Sequence, residues 1–287
     1  MLLDNRFKKI TIIGLFFLVF LVTSEGTAEE MKIHFIDVGQ GDAVLLQCGE
    51  KNILIDAGPD RNSTALYLKS QNITDISLFL ITGPDSSRTT GIFEVMNRTV
   101  VHEFRDFGNK TPSLPYSKVR ERLRNESIPY SVLNAGDIIP INENMSITIL
   151  TPGQIGKDMN DGMVLEIQTG TIRTLLLSDS KSPDIQLSEP VKIVRVADHG
   201  SRKGTSAGFM SSLRPDIAVI SSGRDSKGPS EATIMSLEAS GAEVFRTDIK
   251  GTIIITTDGD KYSIGSSRNG QSESISLISV IETQYPE

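Results

Sequence analysis

The side chains that most often catalyse reactions or bind metals are scarce in this chain. It has three histidines, His34, His102 and His199, and one cysteine, Cys48. Sites that need four or five histidines are therefore excluded, as is an intramolecular disulfide. Cys48 lies in an apolar run and is expected to be a small buried core residue, while His34 and His102 are expected to be structural.

Motifs for covalent or phosphate chemistry are weak. A serine triad could combine His199 with Ser201 or Ser178, but the Gly-x-Ser-x-Gly turn that exposes a nucleophilic serine is absent. A phosphate-binding loop and a dinucleotide fingerprint are absent as well. The net charge of -7 argues against a general nucleic-acid binder, which needs a basic surface, although a local basic groove stays open.

The elements that must position these residues alternate between short strands and helices. The hydrophobic pattern predicts strands at 31–37, 43–48, 52–56, 76–81, 100–104, 146–150, 164–168, 173–177, 192–197, 217–221, 244–246, 252–256 and 261–264. It predicts helices at 63–69, 91–97, 118–124 and 230–239. Turn residues at 49–51 and 258–260 indicate hairpins. This order of short strands and helices indicates an α/β sandwich.

Residues 1–28 have the pattern of an export signal. Arg6, Lys8 and Lys9 precede the apolar run 10–22, and small polar residues follow it. As a helix the run spans about 20 Å, short of the roughly 30 Å hydrocarbon core, which favours a cleaved signal over a permanent anchor. An uncleaved N-terminal anchor is the alternative. We expect one domain over 31–265 and a tail over 266–287.

Six asparagines lie in Asn-x-Ser/Thr triplets, half of all the asparagines in the chain. Random placement would give about two such triplets, so the excess suggests an exported, surface-glycosylated protein. Coincidence in a Ser/Thr-rich chain is the alternative. The six are Asn62, Asn72, Asn97, Asn109, Asn125 and Asn144.

Several segments together resemble the metallo-β-lactamase-like domain of bacterial DNA-uptake competence proteins. The stretch Phe-Ile-Asp-Val-Gly-Gln-Gly-Asp-Ala at 35–43 is similar to the opening of that domain. Order and spacing hold over residues 31–264. The resemblance implies a four-layer αββα sandwich with a site at one edge of two sheets. The other segments are 54–58, 81–85, 177–179, 198–201, 229–230 and 246–253.

The resemblance also implies that most metal ligands are replaced. The family's first motif, His-x-Asp-x-Asp-His, falls on Gly83, Asp85, Ser87 and Arg88, so three of its four ligands are missing. Arginine stays protonated and has no lone pair with which to bind a metal. The histidine that precedes Pro-Ser in the family is Gly228 here.

The remaining family positions keep few donors. The bridging aspartate corresponds to Asp179, and the His-His pair corresponds to Asp198 and His199. With Asp85, these residues could in principle hold one divalent ion, but a two-zinc site is not expected. We therefore expect no cofactor, or at most one divalent metal ion.

Arg88 is a candidate substitute for the missing cations. Without metal, clustered carboxylates would repel one another and take up protons. We expect the Arg88 guanidinium to pair with Asp179 or Asp85. The alternative is a solvated residue at a helix start. Asp37, Asp42 and Asp56, at strand–turn junctions, are expected to shape turns near the site.

Basic residues flank the same loops. Arg202 and Lys203 follow the 198–201 motif, and Arg224 and Lys227 precede Gly228. They could form an anion-receptive rim despite the acidic total charge. The alternative is that these charges are only solvated.

Together these features predict an exported pseudoenzyme that acts as a non-catalytic binding or surface-interaction domain. It would lie outside the cell or on its surface, with the membrane contacted only through the N-terminal segment. The partner is unknown, and a cell-surface partner or a purely structural role stays open. The alternative is a residual single-metal hydrolase, similar to a phosphodiesterase or nuclease.

Overall fold

Short apolar runs between turn residues form most of the strands in this computed structural model. It describes residues 29–108, 114–151, 162–178, 185, 187, 189–204, 206–224, 226–268 and 271–273. The strands are β1 (Met31–Phe35), β2 (Val44–Cys48), β3 (Lys51–Ile55), β4 (Asp75–Ile76), β5 (Leu78–Ile81), β6 (Val100–Val101), β7 (Phe104–Asp106), β8 (Tyr130–Val132), β9 (Ile138–Pro140), β10 (Met145–Ile149), β11 (Leu165–Thr169), β12 (Ile172–Leu176), β13 (Ile193–Arg195), β14 (Ile217–Ile220), β15 (Glu243–Arg246), β16 (Thr252–Thr257), β17 (Tyr262–Arg268) and β18 (Gln271–Glu273). The helices are α1 (Ser63–Ser70), α2 (Ser86–Thr89), α3 (Ile92–Arg98), α4 (Leu114–Asn125), α5 (Ala207–Leu213), α6 (Glu231–Ala239) and α7 (Thr247–Lys250), with a tight turn at Ala197–Gly200.

Two large sheets contain almost all of the described strands. The first has nine strands in the order β18-β17-β16-β1-β2-β3-β5-β7-β8, and the second has seven in the order β15-β14-β13-β12-β11-β10-β9. Strands β3, β5, β7 and β8 run parallel, as do β12 to β15. The loops that follow parallel strands lie at one edge of a sheet, which is where α/β folds place their sites.

Three apolar clusters define the layers. One lies between the two sheets and includes Phe35, Ile147 and Val219. A second lies between the nine-stranded sheet and helices α1, α3 and α4, and a third lies between the seven-stranded sheet and helices α5 and α6. The order helix, sheet, sheet, helix confirms the predicted four-layer αββα sandwich.

Some predicted elements need correction. The strand predicted at 76–81 is divided, because the Ser77 amide bonds the Asn52 carbonyl and β4 pairs with β6 in a separate small sheet. The strand predicted at 100–104 is also divided, because β6 pairs with β4 in the small sheet whereas β7 pairs with β5 in the nine-stranded sheet. The predicted tail starts too early, because β17 runs to Arg268 and β18 pairs with it. Ser266 and Ser267 are buried in β17. The strand was not predicted there because serines give no apolar pattern.

The N-terminal expectations lie outside the described residues. In the part of the chain that the structure describes, no helix is long and apolar enough to cross a bilayer. Cys48 is buried as expected, and its thiol lies 3.3 Å from the Met145 sulfur. His34 is buried beneath α1, where Nδ1 lies 2.7 Å from the Tyr67 hydroxyl oxygen. His102 is exposed and pairs with Asp75.

Candidate functional site

Loops from both sheets meet at one edge of the sandwich. Asp42 precedes β2, and Asp56 directly follows β3. The loop after β5 leads into α2, which carries Arg88. From the second sheet come Arg195, the last residue of β13, and His199 in the turn that follows. The edge predicted from the resemblance therefore gathers polar side chains from both halves of the chain.

Arg88 lies at the centre of this group and has no exposed side-chain surface. Its Nε atom is 3.3 Å from Asp42 Oδ2 and 3.9 Å from Asp56 Oδ2, and its Nη1 atom is 3.2 Å from Asp85 Oδ2. The alternative of a solvated Arg88 is therefore wrong, and the expected pair with Asp85 is present. Asp179, the other expected partner, lies outside the described residues.

Asp42 joins the two halves of the site. Besides Arg88, its carboxylate faces Arg195, with 3.2 Å between Asp42 Oδ1 and Arg195 Nη1. His199 Nδ1 lies 4.0 Å from the same oxygen. Burial alone would raise the pKa of Asp42, but Arg195, His199 and Arg88 together outweigh burial and lower it below its ordinary value. Asp42 is thus a buried anion held by two arginines.

Arg195 was not identified from the sequence as a residue of the site. It is only 1% exposed, and its Nη2 atom donates a 2.7 Å hydrogen bond to the Leu177 carbonyl. The signal that could have found it is a lone positive charge within the apolar run Ile-Val-Arg-Val at 193–196. A charge is buried in such a strand only when it is paired, so that pattern indicates a buried ion pair.

Asp56 shapes its turn, as expected, and also belongs to the charge cluster. Its backbone is left-handed, with φ of 63°, and its carboxylate contacts Thr82 at the start of the loop that follows β5. Asp56 accepts hydrogen bonds from the Thr82 amide at 2.8 Å and from its hydroxyl at 2.7 Å. Burial raises the pKa of Asp56 to about 6, against the opposing effects of Arg88 and Arg195.

Two glycines make room for the Arg88 side chain. A Cβ atom on Gly83 would lie 2.7 Å from Arg88 Nη1, and one on Gly162 would lie 2.6 Å from the same atom. Gly83 stands where the resemblance places the first histidine of the metal motif. A histidine at 83 and the observed Arg88 conformation therefore exclude each other, because both would need the same space.

The turn at 197–200 fixes the orientation of His199. Asp198 and His199 both have left-handed backbones, with φ of 46° and 50°. His199 Nδ1 lies 3.0 Å from the Ser221 carbonyl oxygen, which can only accept, so Nδ1 carries the hydrogen of this bond. The Ser201 hydroxyl, considered from the sequence as a partner of His199, donates a hydrogen bond to the Asp198 carboxylate.

The described residues at the motif positions do not fit a two-metal centre. In the described ranges, no group of three or more histidine, cysteine, aspartate or glutamate side chains is arranged to hold a metal ion. Of the four predicted ligands, Asp85 forms an ion pair with Arg88, and Asp198 accepts a hydrogen bond from Ser201. Asp179 lies outside the described residues. A buried guanidinium beside Asp42 and Asp85 also repels a cation. A metal role for these four residues stays a prediction.

The four rim residues lie on loops at the same edge and are exposed. Arg202, Lys203, Arg224 and Lys227 reach solvent, and Arg224 Nη2 lies 3.7 Å from Asp37 Oδ2. The pKa of Asp37 is raised, chiefly by burial. An anion-receptive role for this rim stays a prediction.

Solved structures identify the fold. YhfI from Bacillus subtilis, a metallo-β-lactamase fold protein, matches with a TM-score of 0.52 over 75% of this chain and 96% of its own, at 14% identity. The chain has the metallo-β-lactamase fold. Igni18, a metallo hydrolase from Ignicoccus hospitalis, gives a TM-score of 0.52 at 14% identity over 78% of this chain and 98% of its own. CmlA, a diiron β-hydroxylase from Streptomyces venezuelae, gives 0.55 at 13% identity, covering 80% and 54%.

Sequence comparison points to the relatives suggested by the motifs. ComE operon protein 3 of Bacillus subtilis is 23% identical over 85% of this metallo-β-lactamase-fold chain, and Recombination protein 2 of Haemophilus influenzae is 23% identical over 83%. The chain spans only 34% and 30% of the lengths of these relatives. No family model matches the chain.

Proposed function

We propose that this domain works without the two-metal centre, as a non-catalytic binding domain on a metallo-β-lactamase fold. The observation that carries the proposal is the position of Arg88. Its guanidinium is fully buried and pairs with Asp42 and Asp85 at the edge of the sandwich where the resemblance places the metal motif. A guanidinium neutralises carboxylates but cannot bind a water molecule as a Lewis acid.

The second arginine supports this proposal. Arg195 approaches Asp42 from the other sheet, so the two arginines contact opposite oxygens of one carboxylate. In a two-metal enzyme, cations hold such carboxylates together and activate water. In this proposal Arg88 and Arg195 supply positive charge to the buried carboxylates, and a guanidinium cannot replace a metal ion in activating water.

Export and a surface location belong to the same proposal. The basic and apolar pattern of residues 1–28 and the six glycosylation triplets support it. We propose that the domain acts outside the cell or on its surface, where the exposed basic rim and the site edge face a partner. The partner class stays open.

A residual single-metal hydrolase is the second candidate, and the orientation of His199 favours it. Because Nδ1 donates to the Ser221 carbonyl, Nε2 is the ring nitrogen of His199 that a metal ion would bind in this hypothesis. Asp85, Asp179 and Asp198 would supply oxygen ligands in this hypothesis. The domain would then cleave phosphodiesters slowly, with one divalent ion.

A hydrolysis assay separates the two candidates. The purified full chain is incubated with a chromogenic phosphodiester and either Mn²⁺ or Zn²⁺, alongside Asp179→Ala, His199→Ala and, as the surface control, His102→Ala. We expect all four proteins to show only background hydrolysis. Turnover that persists in His102→Ala but is lost in both Asp179→Ala and His199→Ala would establish the hydrolase instead.

A further inference from the structure

Five of the six Asn-x-Ser/Thr triplets lie among the described residues, and the asparagine of each one is exposed. Four of the five, Asn62, Asn72, Asn97 and Asn125, lie in or beside helices α1, α3 and α4, which cover the nine-stranded sheet. The fifth, Asn144, precedes β10. Asn109 lies outside the description. The triplets therefore concentrate on one outer layer of the sandwich.

The five triplets differ in whether the hydroxyl residue is accessible. Because the motif requires Ser or Thr two positions after Asn, the modifying enzyme must reach both residues. Thr64, which completes the Asn62 triplet, is 1% exposed and donates a 2.8 Å hydrogen bond to the Ala57 carbonyl. Ser146, which completes the Asn144 triplet, lies inside β10 with strands paired on both sides. The folded chain thus buries Thr64 and holds the half-buried Ser146 within a paired strand.

The Asn97 triplet is constrained by helix α3. The Asn97 side-chain oxygen accepts a 2.6 Å hydrogen bond from Arg122 of α4. The Thr99 hydroxyl donates to the Val95 carbonyl of the preceding turn at 2.9 Å. Modification of Asn97 in the folded protein would require these bonds to break and the end of the helix to unwind.

The Asn72 and Asn125 triplets are accessible at both ends. Asn72 and Thr74 are exposed in the turn that follows α1, and Asn125 and Ser127 are exposed where α4 ends. Each triplet contains a left-handed residue, Asn72 with φ of 57° and Ser127 with φ of 55°, so the chain already leaves the helix there. No regular element has to open for an enzyme to bind these segments.

We propose that Asn72 and Asn125 are acceptors for N-linked oligosaccharide in the folded protein. The donor is an oligosaccharide joined through its anomeric carbon to a lipid diphosphate. The asparagine Nδ2 atom bonds to that carbon, the carbon–oxygen bond to the diphosphate breaks, the lipid diphosphate leaves, and the amide proton passes to a base of the transferase. One helical layer would carry sugars, while the layer formed by α5 and α6 has no triplet in its sequence.

Enzymatic transfer of oligosaccharide to the purified protein tests the proposal. Because this experiment does not depend on export, a negative result is distinct from failure of the proposed function. An oligosaccharyltransferase and a lipid-linked oligosaccharide are added to the full chain, either folded or denatured in urea and diluted, and occupancy is read by peptide mass spectrometry. We expect sugar on Asn72 and Asn125 in the folded protein, and on Asn62, Asn97 and Asn144 only in the denatured sample.

Variants make the assignment specific. Asn72→Gln and Asn125→Gln should each remove the mass of one oligosaccharide from the folded product, and Thr74→Ala should remove the sugar from Asn72 while leaving the asparagine in place. Asn134→Gln, an exposed asparagine without a hydroxyl residue two positions on, should change nothing. If folded protein stays unmodified at both Asn72 and Asn125 while an acceptor peptide in the same tube is glycosylated, the proposal is wrong.

Discussion

Arg88 is an arginine without exposed side-chain surface, surrounded by the carboxylates of Asp42, Asp56 and Asp85. Removing a guanidinium and two carboxylates from water is unfavourable, and their mutual attraction offsets this only when the groups are well paired. Loss of one partner therefore leaves an uncompensated buried charge. For this reason Arg88 is expected to matter for stability more than any exposed arginine of the chain.

The first prediction concerns Arg88→Met, which keeps much of the side-chain volume and removes the charge. We expect the free energy of unfolding to fall by about 3–5 kcal/mol, because Asp42 and Asp56 are left buried without this partner. Arg105→Met is the control, since Arg105 pairs with Glu103 at a partly exposed site and should cost less than about 1 kcal/mol. Urea unfolding measures both, and equal losses in the two variants would contradict the paired role of Arg88.

The second prediction concerns the pH dependence contributed by His34. Burial, with a smaller effect of Lys32, lowers the pKa of His34 from 6.5 to about 4 in the folded protein. As the pH falls below 6.5, His34 takes up a proton in the unfolded chain before it does so in the folded protein. The contribution of neutral His34 to folding stability is therefore fully present above pH 6.5 and is lost as the pH falls towards 4. The slope is about 1.4 kcal/mol per pH unit in that window.

The comparison with His34→Gln isolates this effect, because Asp56 titrates in the opposite sense. The pKa of Asp56 is raised to about 6 from 3.8, so its contribution to stability decreases as the pH rises from about 4 to 6 in both proteins and cancels in the difference. Between pH 7 and pH 5, we expect the wild type to lose about 2 kcal/mol more than His34→Gln. Parallel pH profiles of the two proteins in urea unfolding would refute the assignment.

At the scale of elements, the sequence predicted best what depends on local pattern. The hairpin of β2 and β3 and that of β16 and β17 were found from alternating apolar residues around turn residues. Short edge strands were missed, because all three residues of β8 are exposed and leave no alternation to detect. Helices α2 and α7 are one turn each and were missed because a single turn shows no helical period.

The loop between β5 and α2 leads to the third prediction. A Cβ on Gly83 would lie 2.7 Å from the Arg88 guanidinium, so Gly83→Ala must displace Arg88 or the loop and should destabilise the protein by about 1–3 kcal/mol. Gly208→Ala is the matched control, because Gly208 lies in α5 with open space around it, where alanine should be neutral or stabilising by up to about 1 kcal/mol. Thermal unfolding compares them. If Gly83→Ala is tolerated as well as Gly208→Ala, the close packing around Arg88 is not real.

At the scale of the molecule, the charge cluster joins the two halves of the sandwich. Asp42 lies in the loop before β2 of the nine-stranded sheet, and Arg195 ends β13 of the seven-stranded sheet, so their ion pair connects the two sheets. The Gly223 amide reinforces this junction by donating to the Gln40 side chain at 3.2 Å. Protein charges of opposite sign thus connect the two sheets at the site.

The sequence predicted the sandwich because the order and spacing of its motifs hold from residue 31 to residue 264. It predicted the approach of Arg88 to Asp85, since both residues stand at positions of one motif. It did not predict the role of Asp42 or of Arg195, because their pairing depends on how two separate sheets come together. Such a long-range contact leaves no local signal beyond a charge in an apolar run.

The metal-to-protein ratio tests the central claim most directly. The full chain is purified without chelator, and its zinc, manganese and iron contents are measured by plasma mass spectrometry, with the melting temperature recorded before and after chelator treatment. The account predicts no stoichiometric metal and an unchanged melting temperature, because Arg88 and Arg195 already neutralise the buried carboxylates. Two metal ions per chain, with a melting temperature that falls when they are removed, would contradict it.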